Sequence, residues 1–191
     1  MEKQNCGKII LASASPRRSE LLARAGFDFE VVVSDAAEVG HIDPKTLVLR
    51  NARAKAEAVA AHFPDRIVLG ADTIVALGNE AFGKPKDMDE AFGMLKKLNG
   101  STHCVYTGVC VLRKSDSRMY IDAGKSDVVF KKLDDAQIRQ YLASVPVLDK
   151  AGAYAAQEHG GMIIERIDGD FDNVMGLPMR VVKNLLDNFA R

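Results

Sequence analysis

Lys8-Ile9-Ile10-Leu11-Ala12-Ser13-Ala14-Ser15-Pro16-Arg17-Arg18-Ser19-Glu20-Leu21-Leu22-Ala23-Arg24-Ala25-Gly26 reads as a strand, a turn and a helix in immediate succession, and this unit decides the fold class. The apolar run from Lys8 to Ser13 suits a short strand. Ser15 as N-cap, with Pro16 at the first helical position, then starts a helix over Pro16 to Ala25. Leu21, Leu22 and Ala25 recur at helical spacing, and Gly26 ends the run. Working outward, Phe29 to Val33 reads as a second strand, and Asp43 with Pro44 opens a long helix reaching to about Phe63. Ile67 to Leu77 is a β-rich run interrupted by Gly70 and Asp72, and Asp87 to Lys97 is a helix closed by Asn99-Gly100. Cys104 to Leu112 and Met119 to Phe130 alternate as strands about Lys114-Ser115-Asp116-Ser117, which predicts a hairpin. Asp134 to Ala143 is helical, Met162 to Ile167 is a strand, and Pro178 to Phe189 is a closing helix. Helices and strands interleave without a repeat or a low-complexity linker, so the expectation is an α/β fold. It is a single domain over residues 1–191 with a mixed sheet flanked by helices, the hairpin arguing against an all-parallel sheet.

Of the 191 residues, 26 are basic and 26 acidic, giving a formal net charge of zero, and 47% are hydrophobic. A chain of that length buries a core large enough to need no disulfide or structural metal. Neutrality, with a sequence pI near 6.9, removes the overall pull towards nucleic acid or an anionic membrane, so any anionic partner is met locally. The longest charge-free stretch, Leu98 to Leu112, carries Asn, Ser, Thr and His and is too short for a membrane span. The apolar run Ile9 to Ala12 is too short for a signal-peptide core. Cys6, Cys104 and Cys110 form no Cys-x-x-Cys pair, which fits a reducing cytoplasm. The four histidines are scattered without ligand spacing, which argues against zinc.

Three places break local rules. In Ser13-Ala14-Ser15-Pro16-Arg17-Arg18 both arginines fall in the first turn of a helix, where the dipole disfavours positive charge. Free N–H groups, two hydroxyls and two guanidinium forks there suit a phosphate, against the plainer alternative of two solvated surface arginines. Lys55 lies on the apolar stripe of Val48, Ala52, Val59 and Phe63, where it wants a counter-charge unless its ammonium reaches past the edge to water. Asp72 shares a strand face with Val68 and Ile74, and an ionised carboxylate buried there needs a cation, a metal or hydrogen-bond donors. The alternative for Asp72 is a turn-capping role at a strand end. Two weaker signals are Gly83-Lys84-Pro85, which is also a plain loop tripeptide, and the small-residue segment Gly152-Ala153-Tyr154-Ala155-Ala156-Gln157. No dinucleotide or Walker fingerprint occurs. Arg17, Arg18, Lys55 and Lys84 facing carboxylates such as Glu38 and Asp72 describe a metal-dependent enzyme acting on a nucleotide or another phosphate ester.

Leu11-Ala12-Ser13-Ala14-Ser15-Pro16-Arg17-Arg18, Gly70-Ala71-Asp72-Thr73, Gly83-Lys84-Pro85, Asp149-Lys150-Ala151-Gly152-Ala153-Tyr154 and Gly176-Leu177-Pro178 occur in the order of the Maf family, which the chain resembles from about Ile9 to the last helix. The resemblance implies an inosine-triphosphatase-like α/β fold with a central cleft, and hydrolysis of a nucleoside triphosphate to monophosphate and pyrophosphate with Mg or Mn. It makes Asp72 the proton acceptor that activates water, with Glu38 and Asp72 as metal ligands. It assigns catalytic and triphosphate-holding roles to Lys55 and Lys84, and substrate binding to Ser13, Ser15 and Arg18. Arg17, Thr73 and Gln157 match the branch of the family acting on dTTP and UTP, whereas the branch acting on 7-methyl-GTP carries an aromatic, a glutamine and a glutamate there. A neutral amide at Gln157 can both donate to and accept from a uracil or thymine edge.

The chain departs from the family at Ala37, where an acid is common, and at Glu158-His159, where glycine follows the glutamine. The alternatives are a 7-methyl-GTP pyrophosphatase and a nucleotide-binding regulator of septum formation without turnover. The family also implies a cytoplasmic house-cleaning role linked to division arrest, with a homodimer compatible and neither nucleic acid nor membrane as partner.

Overall fold

The computed structural model describes residues 7–37 and 43–190. Strand β1 (Ile9–Ala12) is buried along its whole length and leads directly into helix α1 (Pro16–Arg24), with Ser15 at the N-cap position and proline at its start. Gly26 stops that helix in the left-handed region, at φ 80°. Strand β2 (Phe29–Val31) is shorter than expected, Val33 standing well exposed beyond it. Helix α2 (Pro44–Ala60) opens on Asp43, whose carboxylate accepts from the Thr46 N–H at 3.0 Å. It ends before the expected Phe63 because Pro64 disfavours helical backbone in the residue before it. The last N–H groups, of His62 and Phe63, turn to Val59 and Ala60 instead.

Strand β3 (Val68–Leu77) is followed by β4 (Glu80–Phe82), a three-residue strand too short to show an alternation, and by helix α3 (Met88–Leu98). The expected hairpin is β5 (Thr102–Arg113) and β6 (Arg118–Phe130), with Ser117 at φ 57° in the turn. Helix α4 (Asp135–Ser144) starts on a reciprocal cap between Asp134 and Gln137. Strand β7 (Ile164–Asp168) begins later than Met162 because Gly160–Met162 close into a 3-10 turn. The short helix α5 (Phe171–Val174) precedes the closing helix α6 (Met179–Ala190).

The sheet runs β2-β1-β3-β5-β6-β7, with β4 paired to β3. β1 lies parallel to both β2 and β3, whereas β4 on β3 and β7 on β6 are antiparallel, so the sheet is mixed as expected. No helix among the described residues is long and apolar enough to cross a membrane. The chain divides into two compact units, Met1–Asp72 with Thr107–Gly124 and Gly176–Arg191, and Thr73–Tyr106 with Lys125–Met175.

In the first unit, Ala52, Ala56, Val59 and Ala60 of α2 pack on Ile10, Val68, Cys110 and Leu112. The small side chains matter because the helix lies almost on the backbone of the sheet. A β carbon at Gly70 would meet the Ala52 carbonyl oxygen at 2.3 Å, and one at Gly108 would meet the Val48 carbonyl oxygen at 2.4 Å. The second unit has its own core, in which Leu95 and Leu98 of α3 and Ile138 and Tyr141 of α4 pack with Val105, Val128 and Phe130 of the strands. His103, 1% exposed, sits there edge-on to Phe130 and Tyr154, with Nε2 3.0 Å from the Tyr154 hydroxyl and Nδ1 without a partner.

Two stability measurements test this packing. Gly70→Ala must push α2 off the strand and lowers the unfolding free energy in urea by about 1–3 kcal/mol or more. Gly93→Ala, on the open face of α3 where an added β carbon meets nothing within 4 Å, raises it by about 0.5–1 kcal/mol. Burial lowers the His103 pKa from 6.5 to about 4, so on acidification the unfolded chain takes up this proton first. The stabilisation from keeping the ring neutral is complete above pH 6.5 and is lost as pH falls through about 4, a change of about 3 kcal/mol. In His103→Gln the dependence on pH over that window is correspondingly shallower.

Candidate active site

Val68, Gly70, Asp72 and Ile74 alternate onto one face of β3. Gly70 admits the α2 backbone, and Asp72, two residues on, meets the same helix. Lys55 and Asn51, one helical turn apart on α2, both point at it. Lys55 Nζ donates to Asp72 Oδ1 at 2.6 Å, and Asn51 Nδ2 donates to Oδ2 at 3.0 Å. Asp72 is 8% exposed, so the counter-charge and the donor that its burial demands are both supplied by one helix face. Each carboxylate oxygen has a further lone pair beyond these two bonds, because a carboxylate offers about four acceptor sites.

Ala12 of β1 stands opposite Gly70 of β3, and β1 stops there while β3 continues. The Ser13-to-Arg18 turn therefore leaves the carboxyl end of a strand beside the one carrying Asp72, the place where open α/β sheets bind ligands. Arg18, nearly buried, donates through Nε to the Gly176 carbonyl at 2.8 Å and through Nη1 to Ser13 Oγ at 2.9 Å. Ser13 Oγ also accepts from the Ser15 N–H at 3.2 Å. The Ser15 hydroxyl makes no cap bond, and no acidic residue occupies the first turn of α1. The positive charge of Arg18 at this helix start is thus met in part by a main-chain carbonyl. Arg17 is half-buried. The first unit brings Ser13, Ser15 and Arg18 into one hydrogen-bonded group, and Lys55 and Asp72 into another. Glu38 lies outside the described residues.

Thr73, Lys84 and Gln157 belong to the second unit. Gly152 N–H donates to the Gly83 carbonyl at 3.0 Å, which ties the Gly83-Lys84-Pro85 segment to the segment ending at Gln157. Gly152 is required there, since its φ is 69° and a β carbon would lie 2.9 Å from Val75 Cγ2. Ala153 follows at φ 59°, a conformation rare for a residue with a β carbon and one that tends to gather at functional loops. Beyond it the chain is held by two tyrosines. Tyr154 meets His103, and the Tyr141 hydroxyl accepts from the Ala155 N–H at 2.9 Å. Lys84 is exposed and Gln157 half-buried.

Sequence reasoning missed Asn51, although an amide on the same stripe as Lys55, one turn before it, is a readable signal. It also missed Lys150, 3% exposed, which donates to the Pro146 carbonyl and to Asp149 Oδ1. Nothing in a Gly- and Ala-rich loop signals that its lysine turns inward. For a divalent cation the donor chemistry of Asp72 fits, since its oxygens are hard ligands with lone pairs to spare. Among the described residues no group of three or more His, Cys, Asp or Glu side chains gathers that could hold a metal ion; Glu38, the other expected ligand, is not one of those residues.

The sequence profile of a family described as Maf-like protein matches residues 8–189. A protein of Akkermansia muciniphila named dTTP/UTP pyrophosphatase is 48% identical over 184 residues, covering 95% of this chain and 96% of its own. One of the same name from a Thermoanaerobacter species is 45% identical over 181 residues, covering 94% and 95%. Among solved structures, a HAM1 protein from Coxiella burnetii superimposes with a TM-score of 0.53 at 11% identity, covering 96% of this chain and 98% of that one. That likeness speaks for the fold alone, and the inosine-triphosphatase-like α/β fold expected from the sequence is the one observed.

The ion pair of Lys55 and Asp72 makes their substitutions non-additive. In a cycle of Lys55→Met, Asp72→Asn and the double variant, unfolding in urea gives a coupling of about 1–3 kcal/mol, because either single change leaves the other partner uncompensated. Additive losses would mean that solvent already screens the pair.

Proposed function

The chain belongs to the Maf family, and from that premise we propose that it hydrolyses dTTP and UTP to the nucleoside monophosphate and pyrophosphate. The observation that supports this most is the Asp72 carboxylate, buried at the end of parallel strands and held on both oxygens by Lys55 and Asn51. Water attacks the α-phosphorus, the bond from that phosphorus to the bridging oxygen breaks, and pyrophosphate leaves. The water proton passes to Asp72. Of its two oxygens, Oδ2 is bonded to a neutral amide and Oδ1 faces the Lys55 ammonium.

Lys55 holds the base in place and adds positive charge beside it, and Lys84 offsets the charge gathering on the departing pyrophosphate. Arg18 and Ser13, bonded to each other, present the turn that takes the triphosphate, with Ser15 at the head of α1. Mg or Mn, held at Asp72 with Glu38 as the proposed second ligand, would neutralise phosphate oxygens and polarise the α-phosphorus.

Arg17, Thr73 and Gln157 set the preference for a pyrimidine base, Gln157 through an amide that both donates and accepts. The cellular role that follows is removal of unwanted pyrimidine triphosphates in the cytoplasm, and the link to division arrest is read as a consequence of that hydrolysis.

Pyrophosphate release measured over a panel of triphosphates with Mg or Mn tests this. Turnover is expected with dTTP and UTP and little with 7-methyl-GTP or ATP, and Asp72→Asn lowers kcat by about 10²–10⁴-fold, the usual worth of a positioned base. Equal turnover of all triphosphates would remove the specificity assignment, and preference for 7-methyl-GTP would move the chain to the other branch. Tight nucleotide binding without pyrophosphate release under any metal would make it a regulator.

A further inference from the structure

We propose that Glu158 fixes which way round the Gln157 amide is presented, and that this is how the chain tells uracil and thymine from cytosine; the proposal rests on the reading of Gln157 as the residue that meets the base. Gln157 Nε2 donates to Glu158 Oε1 at 3.3 Å. The same carboxylate oxygen lies 3.8 Å from Lys150 Nζ, and Lys150 is itself anchored, its ammonium donating to the Pro146 carbonyl and to Asp149 Oδ1. All of these groups belong to the second unit.

A glutamine side chain can turn over about its last bond, exchanging oxygen for nitrogen at little cost, unless a neighbour distinguishes them. An ionised carboxylate only accepts, so it takes the nitrogen of Gln157 and repels the oxygen. The buried Lys150 ammonium, on the far side of that oxygen, holds the Glu158 carboxylate in place. Gln157 is left with its Oε1 and one remaining N–H for a ligand.

That arrangement has a defined complement. Uracil and thymine offer an N3–H donor beside the O4 acceptor, while cytosine offers an N3 acceptor beside an N4 donor. An amide whose oxygen faces N3 pairs with uracil and thymine and opposes cytosine at both atoms. The thymine methyl, on C5, lies off this edge, so dTTP and UTP are read alike. Without Glu158 the amide can turn and accept cytosine equally well. The discrimination therefore comes from a residue that does not itself touch the base, and Glu158 is a positioning residue.

The test is kcat/KM for UTP, dTTP and CTP in the unaltered protein, Glu158→Ala and the isosteric Glu158→Gln, with thermal unfolding of each. The UTP-to-CTP ratio is expected to fall by about 3–10-fold in Glu158→Ala, the worth of one ordinary hydrogen bond. The change is carried by a higher KM for UTP and a lower KM for CTP. Glu158→Gln keeps an acceptor oxygen but can itself turn over, so its ratio falls between the two, and it carries the test alone if the alanine variant does not fold. An unchanged ratio in a folded variant that still hydrolyses UTP overturns this proposal and leaves the reading of the activity standing. Failure of the unaltered protein to release pyrophosphate from dTTP or UTP overturns both.

Discussion

Everything in the first unit depends on how closely helix α2 approaches the sheet. The Ala52 and Val48 carbonyls lie where β carbons of Gly70 and Gly108 would otherwise stand, so two strands lack side chains at the points where the helix crosses them. The core beneath is filled by Ala52, Ala56 and Ala60, and it gains from contact at short range what it lacks in side-chain volume. One consequence is chemical. Asp72 follows Gly70 by one alternation of the strand, so the spacing that admits the helix also brings Asn51 and Lys55 within hydrogen-bond reach of its two oxygens. The positions of Asp72 and of its partners are thus set by rigid elements, which hold a site more closely than loops do.

The second unit solves a different problem, that of holding a loop in a conformation its sequence does not favour. Gly152 and Ala153 both adopt positive φ, and a residue with a β carbon gives up roughly 1–2 kcal/mol to do so. What offsets it is a set of fixed partners: the Gly83 carbonyl on the Gly152 N–H, the Tyr141 hydroxyl on the Ala155 N–H, and His103 on the Tyr154 hydroxyl. Burial raises the pKa of the Tyr154 hydroxyl and pushes Tyr141 up to about 12. Both therefore stay neutral across the physiological range and hold the segment as uncharged hydrogen-bonding groups.

Much of this was legible in the sequence, for physical reasons that differ from element to element. The helix starts at Asp43, Asp87 and Asp134 follow from caps and that of α1 from Pro16 at its first position, all of them local chemistry. The predicted mixed sheet followed from one hairpin set among βα units. Asp72 and Lys55 stood out because each breaks the apolar pattern of its own element, and the structure pairs them. Arg18 stood out by the same logic, yet part of its compensation comes from a carbonyl far along the chain, at Gly176, which no local pattern announces. Lys150 was illegible for a related reason. In a loop there is no periodicity for an inward-turned charge to violate, so burial leaves no mark on the sequence.

The Lys55–Asp72 pair is hard to account for by stability. Side chains only 15% and 11% exposed give up much of their hydration, and their mutual attraction returns little more than that loss. A leucine and a valine at these positions would extend the apolar stripe of α2 and the face of β3 at no such cost. The arrangement also spends a buried asparagine on the second carboxylate oxygen, where one donor would already have met the charge. Two donors on opposite oxygens do something that one cannot: they stop the carboxylate from rotating and leave its remaining lone pairs aimed in fixed directions. A fold seeking only stability has no use for an aimed lone pair. The proposed role, taking a proton from water attacking at one defined phosphorus, does, and on that proposal all three polar residues on an otherwise apolar surface have a use.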